Sequence, residues 1–553
     1  MTDATAGPRV TEATPSGQML AADGSPLKKS LARALRRQKI RALLLIAPLL
    51  LFILVTFIAP IADMLFRSVE NQIVADTLPR TSEAIQEWDY ESGQPPGEDV
   101  FRAFSYDLAI AAERKQHTRL GTRLNYESPG LSSLFRKSGR GVGDIGEIYQ
   151  DQFEDLNEAW EEPTTWATLL GAEDWVADQA AWAADEEGDE PRFRFAPGVR
   201  AALPATTELY AAYTDVIQVD DEDSVMEEDV WPAVYQALYE DLATSPDLSA
   251  VSGPTVGLLN EAQGALGTFE RADYVALFED IDEDWLDPQV WGVIKTFTPD
   301  YTPGYFLASV DLQKTPDGFE RQPEDQRIYI LLFERTIFMS LAITIACILL
   351  GYPIAYLLAS LPLRTSNVLL ILVLLPFWTS LLVRTSSWKV LLQQQGVIND
   401  ILVFMGLVGD GDRLVMINNQ FGTIVAMTHI LLPFMILPLY SVMKTIPPSY
   451  VRAAKSLGAT NWTAFWRVYF PQSVPGIGAG CILVFILAIG YYITPELVGG
   501  TTGTFISNRI AYHISASLNW GLAAALGTLL LALVLALYWV YDRIVGIDNV
   551  SLG

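Results

Sequence analysis

The chain has 553 residues, a net charge of −28, a mean hydropathy of +0.24 and two cysteines. Residues 68–330 hold 54 of the 65 acids and 17 of the 37 bases, a net of −37, whereas the remainder carries a net of +9. That division, with several uncharged runs long enough to cross a bilayer, excludes an ordinary cytosolic globule, a collagen, a wholly disordered chain and a disulfide scaffold.

Residues 1–27, rich in Ala, Thr, Ser, Gly and Asp, read as the disordered part of an N-terminal tail over 1–41. Lys28, Lys29, Arg33, Arg36, Arg37, Lys39 and Arg41 then precede the first apolar run, 42–62. That run is too long and starts too late for a cleavable signal. Five more follow at 336–363, 365–383, 414–443, 468–495 and 510–541. A span needs roughly 20 residues at about 1.5 Å each. The predicted fold class is an all-α membrane protein: helix one over 42–66, an acidic domain over 67–330, helices two to six over 331–545, and a tail over 546–553. Arg364, then Lys444, Arg452, Lys455 and Arg467, then Arg543 fall on the same side as the N-terminal bases. Arg384, Lys389, Arg413 and Arg509 dissent. The majority predicts cytoplasmic termini and an extracytoplasmic insert.

Eight of the 14 tryptophans lie in the insert, which argues for a packed core. Phe153, Leu156 and Trp160 repeat at helical spacing, as do Val234, Leu238 and Leu242 behind Pro232. The block reads as mainly helical, with an extended piece near 290–305, and is long enough for one domain or two small ones. Its charge admits two readings: steering of a cationic ligand or basic partner, or solubility in a salty environment. The runs Asp220–Asp223 and Asp282–Asp284 lack the Gly and final Glu of an EF-hand loop and read as solvated faces ahead of the alternative, weak surface calcium binding. Gly141-Val-Gly-Asp-Ile-Gly146 follows a basic stretch, not a strand, so a dinucleotide site is not predicted. His117, His429 and His513 lie far apart, and no P-loop occurs. Neither a metal site, a cofactor, a catalytic residue nor a nucleic-acid partner is predicted.

Helices three and five hold the unusual polar and aromatic residues. Trp378, Thr379 and Ser380 follow Pro376; Tyr491, Tyr492 and Thr494 precede Pro495. Each proline is expected to break its helix and free carbonyls toward a cavity. The aromatic faces can hold a cationic amine at about 0.5–2 kcal/mol each. The same tryptophans and tyrosines also suit an interfacial belt, the reading given to Trp388, and Arg384 reads as a snorkelling surface side chain.

Between helices four and five, Pro447 and Pro448 stop one helix and Ser449 can cap another over 450–457, which Gly458 ends in a left-handed conformation. Thr460 or Asn461 caps a second short helix that Pro471 is expected to end. Ala453 and Ala454 allow close approach, and Phe465, Trp466 and Tyr469 supply an anchor. The residues alone leave open an interfacial hairpin or a docking knob.

The run Arg452-Ala-Ala-x-x-x-Gly-Ala459, followed by Phe465 and Pro471, resembles the coupling loop, here 445–472, of permease subunits of bacterial ABC importers. Leu375-Pro-Phe-Trp-Thr-Ser-Leu-Leu-Val-Arg-Thr385 and Gly490-Tyr-Tyr-Ile-Thr-Pro-Glu-Leu-Val-Gly-Gly500 resemble the polyamine (spermidine/putrescine) branch of that inner-membrane component family. The resemblance covers 30–67 and 331–545, not the acidic block. It implies an inner-membrane transport subunit, not an enzyme, with an ABC ATPase dimer in the cytoplasm that takes ATP and Mg. It also implies a second permease subunit, a periplasmic solute-binding protein, and a polyamine or related small organic cation as cargo. Two positions depart from the family: Arg452 stands where an acid usually opens the motif, and Tyr491-Tyr492 stands where some relatives carry an acid. The alternative is a membrane-anchored receptor or assembly factor whose acidic domain is the working part.

Overall fold

A computed structural model describes residues 27–185, 190–248, 251 and 256–545. The chain divides at Arg67 into two compact units. The first contains helix Leu27–Ile53, a widened π turn Leu54–Ile58 and helix Ala59–Arg67, of which Gln38–Arg67 is long and apolar enough to cross a membrane. The helix begins inside the segment expected as tail; residues 1–26 and 546–553 lie outside the described residues. Pro60 follows the π turn by two residues. A proline ring clashes with the carbonyl four residues back, and widening the preceding turn relieves that clash without ending the helix.

In the second unit, the acidic domain is helical around one aromatic-rich core in which Trp160, Trp166, Trp175, Trp285 and Trp291 are fully buried. Val234, Leu238 and Leu242 line the inner face of helix Pro232–Ala243, as their spacing predicted. Phe153 and Leu156 end the long helix Leu131–Leu156, whereas Trp160 sits in a separate 3-10 turn, Glu158–Glu161. Gly141, Gly143 and Gly146 lie within that long helix, where they cradle no phosphate. Gly146 instead admits the start of helix Pro232–Ala243: a Cβ there would lie 2.4 Å from the Pro232 backbone.

The extended piece expected at 290–305 is displaced. Pro288–Thr296 and Gly304–Ala308 are helices, and the strands are Leu312–Thr315 and Gly318–Arg321, antiparallel with Leu312 opposite Arg321. Asp287 caps the first of those helices through the Gln289 N–H at 2.8 Å, and Pro288 takes its first position. This start signal, with burial of Val290, Trp291 and Ile294, overrides the local β-branched content. Pro316-Asp317-Gly318, with Gly318 at φ +129°, makes the hairpin turn.

Asp311 joins the insert to the bundle. Its carboxylate accepts from the N–H groups of Ile328, Tyr329 and Ile330, capping helix Tyr329–Ser360. Helices Tyr329–Ser360, Gln420–Thr445, Asn461–Gly490 and Trp520–Arg543 are each long and apolar enough to cross a membrane. The third expected span is instead a pair, Leu363–Trp378 and Leu381–Leu391, bent by 94°. With Gln38–Arg67 the described residues hold five candidate spans, or six if the bent pair counts as one. The run 510–541 is also interrupted: helix Ile506–Ser515 ends, and Asn519 caps a new helix from Trp520 by accepting from the Leu522 N–H. Gly480 lets two bundle helices close, since a Cβ there would lie 2.6 Å from Met435 Sδ.

Candidate functional site

The elbow begins where helix Gln420–Thr445 stops at Ile446. Pro448 opens helix Pro448–Ser456, so Ser449 lies inside the helix and makes no capping bond, contrary to expectation. A proline needs no N–H partner in the first turn, which leaves the serine redundant there. Gly458 has φ +90°, its N–H reaching Lys455 O at 3.0 Å while Ala459 N–H reaches Ala454 O at 3.1 Å. These two bonds form a Schellman cap, and they explain the spacing of Ala454, Gly458 and Ala459. Thr460 Oγ1 then accepts from the Thr463 N–H at 3.2 Å. Pro471 does not end the second helix. A π turn at Phe465–Tyr469 absorbs the proline, and Asn461–Gly490 runs on as one span.

Aromatic side chains fix the back of the elbow to the last turns of helix Tyr329–Ser360. Phe465 lies edge-on to Tyr352 and Tyr356, Tyr469 lies 5.1 Å from Tyr356, and the Tyr352 hydroxyl meets Ser473 Oγ at 2.9 Å. The front faces outward: Arg452, Ala453, Gly458 and Pro471 are exposed, Leu457 is 90% exposed and Trp462 72%. Tyr329, beside the acidic domain, and Tyr356, beside the elbow, are 27 residues apart on one helix, about 40 Å. The insert and the elbow therefore sit at opposite ends of the bundle.

The structure brings the two helix breaks together. Thr494 is fully buried and its hydroxyl meets that of Thr385, also fully buried, at 3.1 Å. Trp378, Thr379 and Ser380 sit at the 94° bend and are exposed, as is Tyr492, while Tyr491 is half-buried. Three carbonyls at the breaks accept side-chain hydrogen bonds. Ser507 Oγ donates to Tyr491 O at 2.7 Å, Asn508 Nδ2 to Tyr492 O at 2.9 Å, and Thr379 Oγ1 to Pro376 O at 2.9 Å. In a low-dielectric interior an orphan carbonyl is costly, so neighbouring side chains take each one.

Three residues near the breaks were not singled out from sequence as partners. Trp388 Nε1 bonds His429 Nδ1 at 3.1 Å, so Trp388 has a specific partner beyond the belt role expected of it. Thr385 joins Thr494. Long sequence separation hid these pairings. Among the described residues, no group of three or more His, Cys, Asp or Glu is placed to hold a metal ion.

Five to six apolar helices along the chain, with paired breaks and an outward-facing elbow in the second unit, define a membrane-spanning transport subunit. Residues 333–545 match the family described as "Binding-protein-dependent transport system inner membrane component". The spermidine/putrescine transport system permease protein PotB of Haemophilus influenzae is 37% identical over 215 residues, covering 38% of this chain and 74% of that protein. PotB of Escherichia coli K12 is 34% identical over 233 residues, covering 42% and 83%. The inner membrane ABC transporter permease YdcU of Escherichia coli K12 is 34% identical over 266 residues, covering 45% and 79%. A solved bacterial ABC transporter involved in import of the acidic polysaccharide alginate is 21% identical, covers 50% of this chain and 99% of that one, and has a TM-score of 0.34.

The chain belongs to this inner-membrane component family: it is a multi-pass ABC permease subunit rather than an enzyme. Within the family its likeness is to the polyamine-type permeases.

Proposed function

We propose that this subunit moves a polyamine or related small organic cation inward by alternating access. A binding protein delivers the solute on the insert side, and a second permease subunit completes the cavity with it. Trp378, Thr379, Ser380, Tyr491, Tyr492 and Thr494 line or support the path, with the exposed members facing the second subunit. An ATPase dimer, which takes ATP and Mg, grips the elbow through Arg452, Ala453, Ala454, Gly458 and Ala459. Phe465 and the following turn to Pro471 pass its motion to the bundle. Termini and elbow are cytoplasmic, and the insert is periplasmic.

The observation that carries this reading is the elbow itself. A surface with Leu457 and Trp462 exposed, backed by aromatic packing onto one span and continuous with another, has the form of a lever awaiting a partner. The placement of insert and elbow at opposite ends of helix Tyr329–Ser360 supports the assignment of sides. The relatives' names support the polyamine class.

Proteoliposomes holding this subunit, its second permease, the ATPase and the binding protein test the reading. Uptake of labelled spermidine or putrescine should require ATP and the ATPase, and Ala454→Cys should cross-link to the ATPase. Accumulation that persists without the ATPase would overturn it.

A further inference from the structure

The acidic domain contains one pattern twice. Phe153-Glu-Asp-Leu-Asn-Glu-Ala-Trp-Glu-Glu-Pro-Thr-Thr-Trp166 recurs as Phe278-Glu-Asp-Ile-Asp-Glu-Asp-Trp-Leu-Asp-Pro-Gln-Val-Trp291, identical at 7 of 14 positions. Val100-Phe-Arg-Ala-Phe-Ser-Tyr-Asp-Leu-Ala109 recurs as Val234-Tyr-Gln-Ala-Leu-Tyr-Glu-Asp-Leu-Ala243, identical at 5 of 10. Leu78-Pro79-Arg80-Thr81 recurs as Leu203-Pro204-Ala205-Thr206.

The geometry repeats with the letters. Leu78 and Leu203 precede their prolines at φ/ψ of −126°/60° and −127°/68°. The Thr81 N–H and hydroxyl both donate to Asp107 at 2.7 Å, and those of Thr206 both donate to Asp241 at 2.7 Å. Trp166 Nε1 donates to Trp160 O, as Trp291 Nε1 does to Trp285 O.

The halves are exchanged. Phe101 and Phe104, early in the first copy, pack on Phe278, Trp285 and Trp291, late in the second. Tyr235, the counterpart of Phe101, packs on Phe153 and Trp166, late in the first copy. Two seams close the exchange. Asn71 N–H meets Asp300 O and Thr302 N–H meets Val69 O at one. Ala196 N–H meets Leu170 O and Ala172 N–H meets Arg194 O at the other. Each seam joins the start of one copy to the end of the other. The segment leading to the membrane is held by both copies: it continues from the second, and Arg123 of the first donates to the Tyr305 hydroxyl at 2.9 Å and stacks on its ring.

We propose that the acidic domain is a fused pseudo-dimer of one duplicated helical unit with exchanged halves, and that it passes through the transport cycle as a single body closed at both seams. Parting the copies would tear two aromatic clusters at once and expose fully buried tryptophans, so the domain has no hinge between its copies.

The test uses the full chain with Cys347 and Cys481 replaced by Ser and a protease site placed within 186–189. Cysteine pairs at Val69 with Thr302, and at Ala172 with Arg194, are oxidised and the chain is then cut. Each pair alone should hold the two fragments together on a non-reducing denaturing gel; failure of either overturns the exchange. With both seams locked, ATP-driven uptake should stay within twofold of the reduced protein; a loss restored by reductant overturns the single-body claim. This uptake arm rests on the permease reading, whereas the linking arm needs no partner and fails separately from it. A third variant guards against misfolding. A chain carrying the 278–291 sequence at positions 153–166 should match the parent in tryptophan fluorescence and protease resistance. If it behaves like a scramble of the same composition, the two copies are not equivalent.

Discussion

Asp107 makes the stability of the acidic domain depend on pH. Its side chain is fully buried, and burial pushes the carboxyl from the usual 3.8 up to about 6, against the opposing bonds from Thr81 and the more distant Arg80. Oδ2 accepts both Thr81 bonds, while Oδ1 is buried without a hydrogen-bond partner, the position a proton would occupy. A carboxyl whose folded pKa exceeds its unfolded value binds its proton more tightly in the native state. The folded protein is therefore favoured at low pH, and that advantage is lost as pH rises from about 4 through 6. A shift of that size corresponds to about 3 kcal/mol. Glu113, Glu240 and Asp241 are also raised by burial and act in the same direction. Asp107→Asn keeps an oxygen for Thr81 and places an NH₂ where the proton would sit. In detergent-solubilised full chain, urea unfolding followed by tryptophan fluorescence should show D107N more stable than the parent at pH 7.5, by up to about 3 kcal/mol. The two should converge near pH 4. A D107N chain less stable than the parent at pH 7.5, with the parent's pH slope unchanged, would refute a raised Asp107 carboxyl as the cause.

Four other outcomes are expected. Trp285→Ala and Trp160→Ala should each destabilise the acidic domain by about 3–5 kcal/mol in the same unfolding assay, because each removes a fully buried indole from a counterpart cluster. Gly458→Val should cost about 1–2 kcal/mol locally at φ +90° and reduce uptake through the elbow, with solute-binding-protein docking unchanged in a pull-down. Leu457→Asp, at a site 90% exposed, should leave thermal stability within about 0.5 kcal/mol while abolishing ATPase cross-linking and ATP-driven uptake. Deleting residues 80–320 should leave residual uptake; complete loss with the remaining helices still inserted would favour the receptor reading.

Several features were legible because each needs only local information. Uncharged runs marked the five long apolar helices and the bent pair, and Gly458 and Thr460 marked the elbow, since a left-handed terminator and a hydroxyl cap act within a few residues. The errors at Ser449 and Pro471 share a cause. Each residue has a strong local preference that its neighbour made unnecessary, Pro448 by opening the helix and the π turn by absorbing the ring. The extended piece expected at 290–305 is helical at both ends because buried tertiary contacts overrode β-branched composition.

By itself, then, the sequence determined that the chain crosses a membrane repeatedly, that an acidic, tryptophan-rich domain interrupts it, and that one loop is built as a capped elbow. These follow from hydropathy, charge and cap chemistry, which act over a few residues. Only the tertiary structure decided that Thr385 meets Thr494, that Ser507 and Asn508 occupy the carbonyls of the broken helix, and that two copies of one unit exchange halves in the insert. The repeated letters were present throughout, but their meaning lies in contacts between residues from about twenty to over two hundred positions apart. Such pairings depend on which surfaces can be buried together, and a local pattern does not specify them.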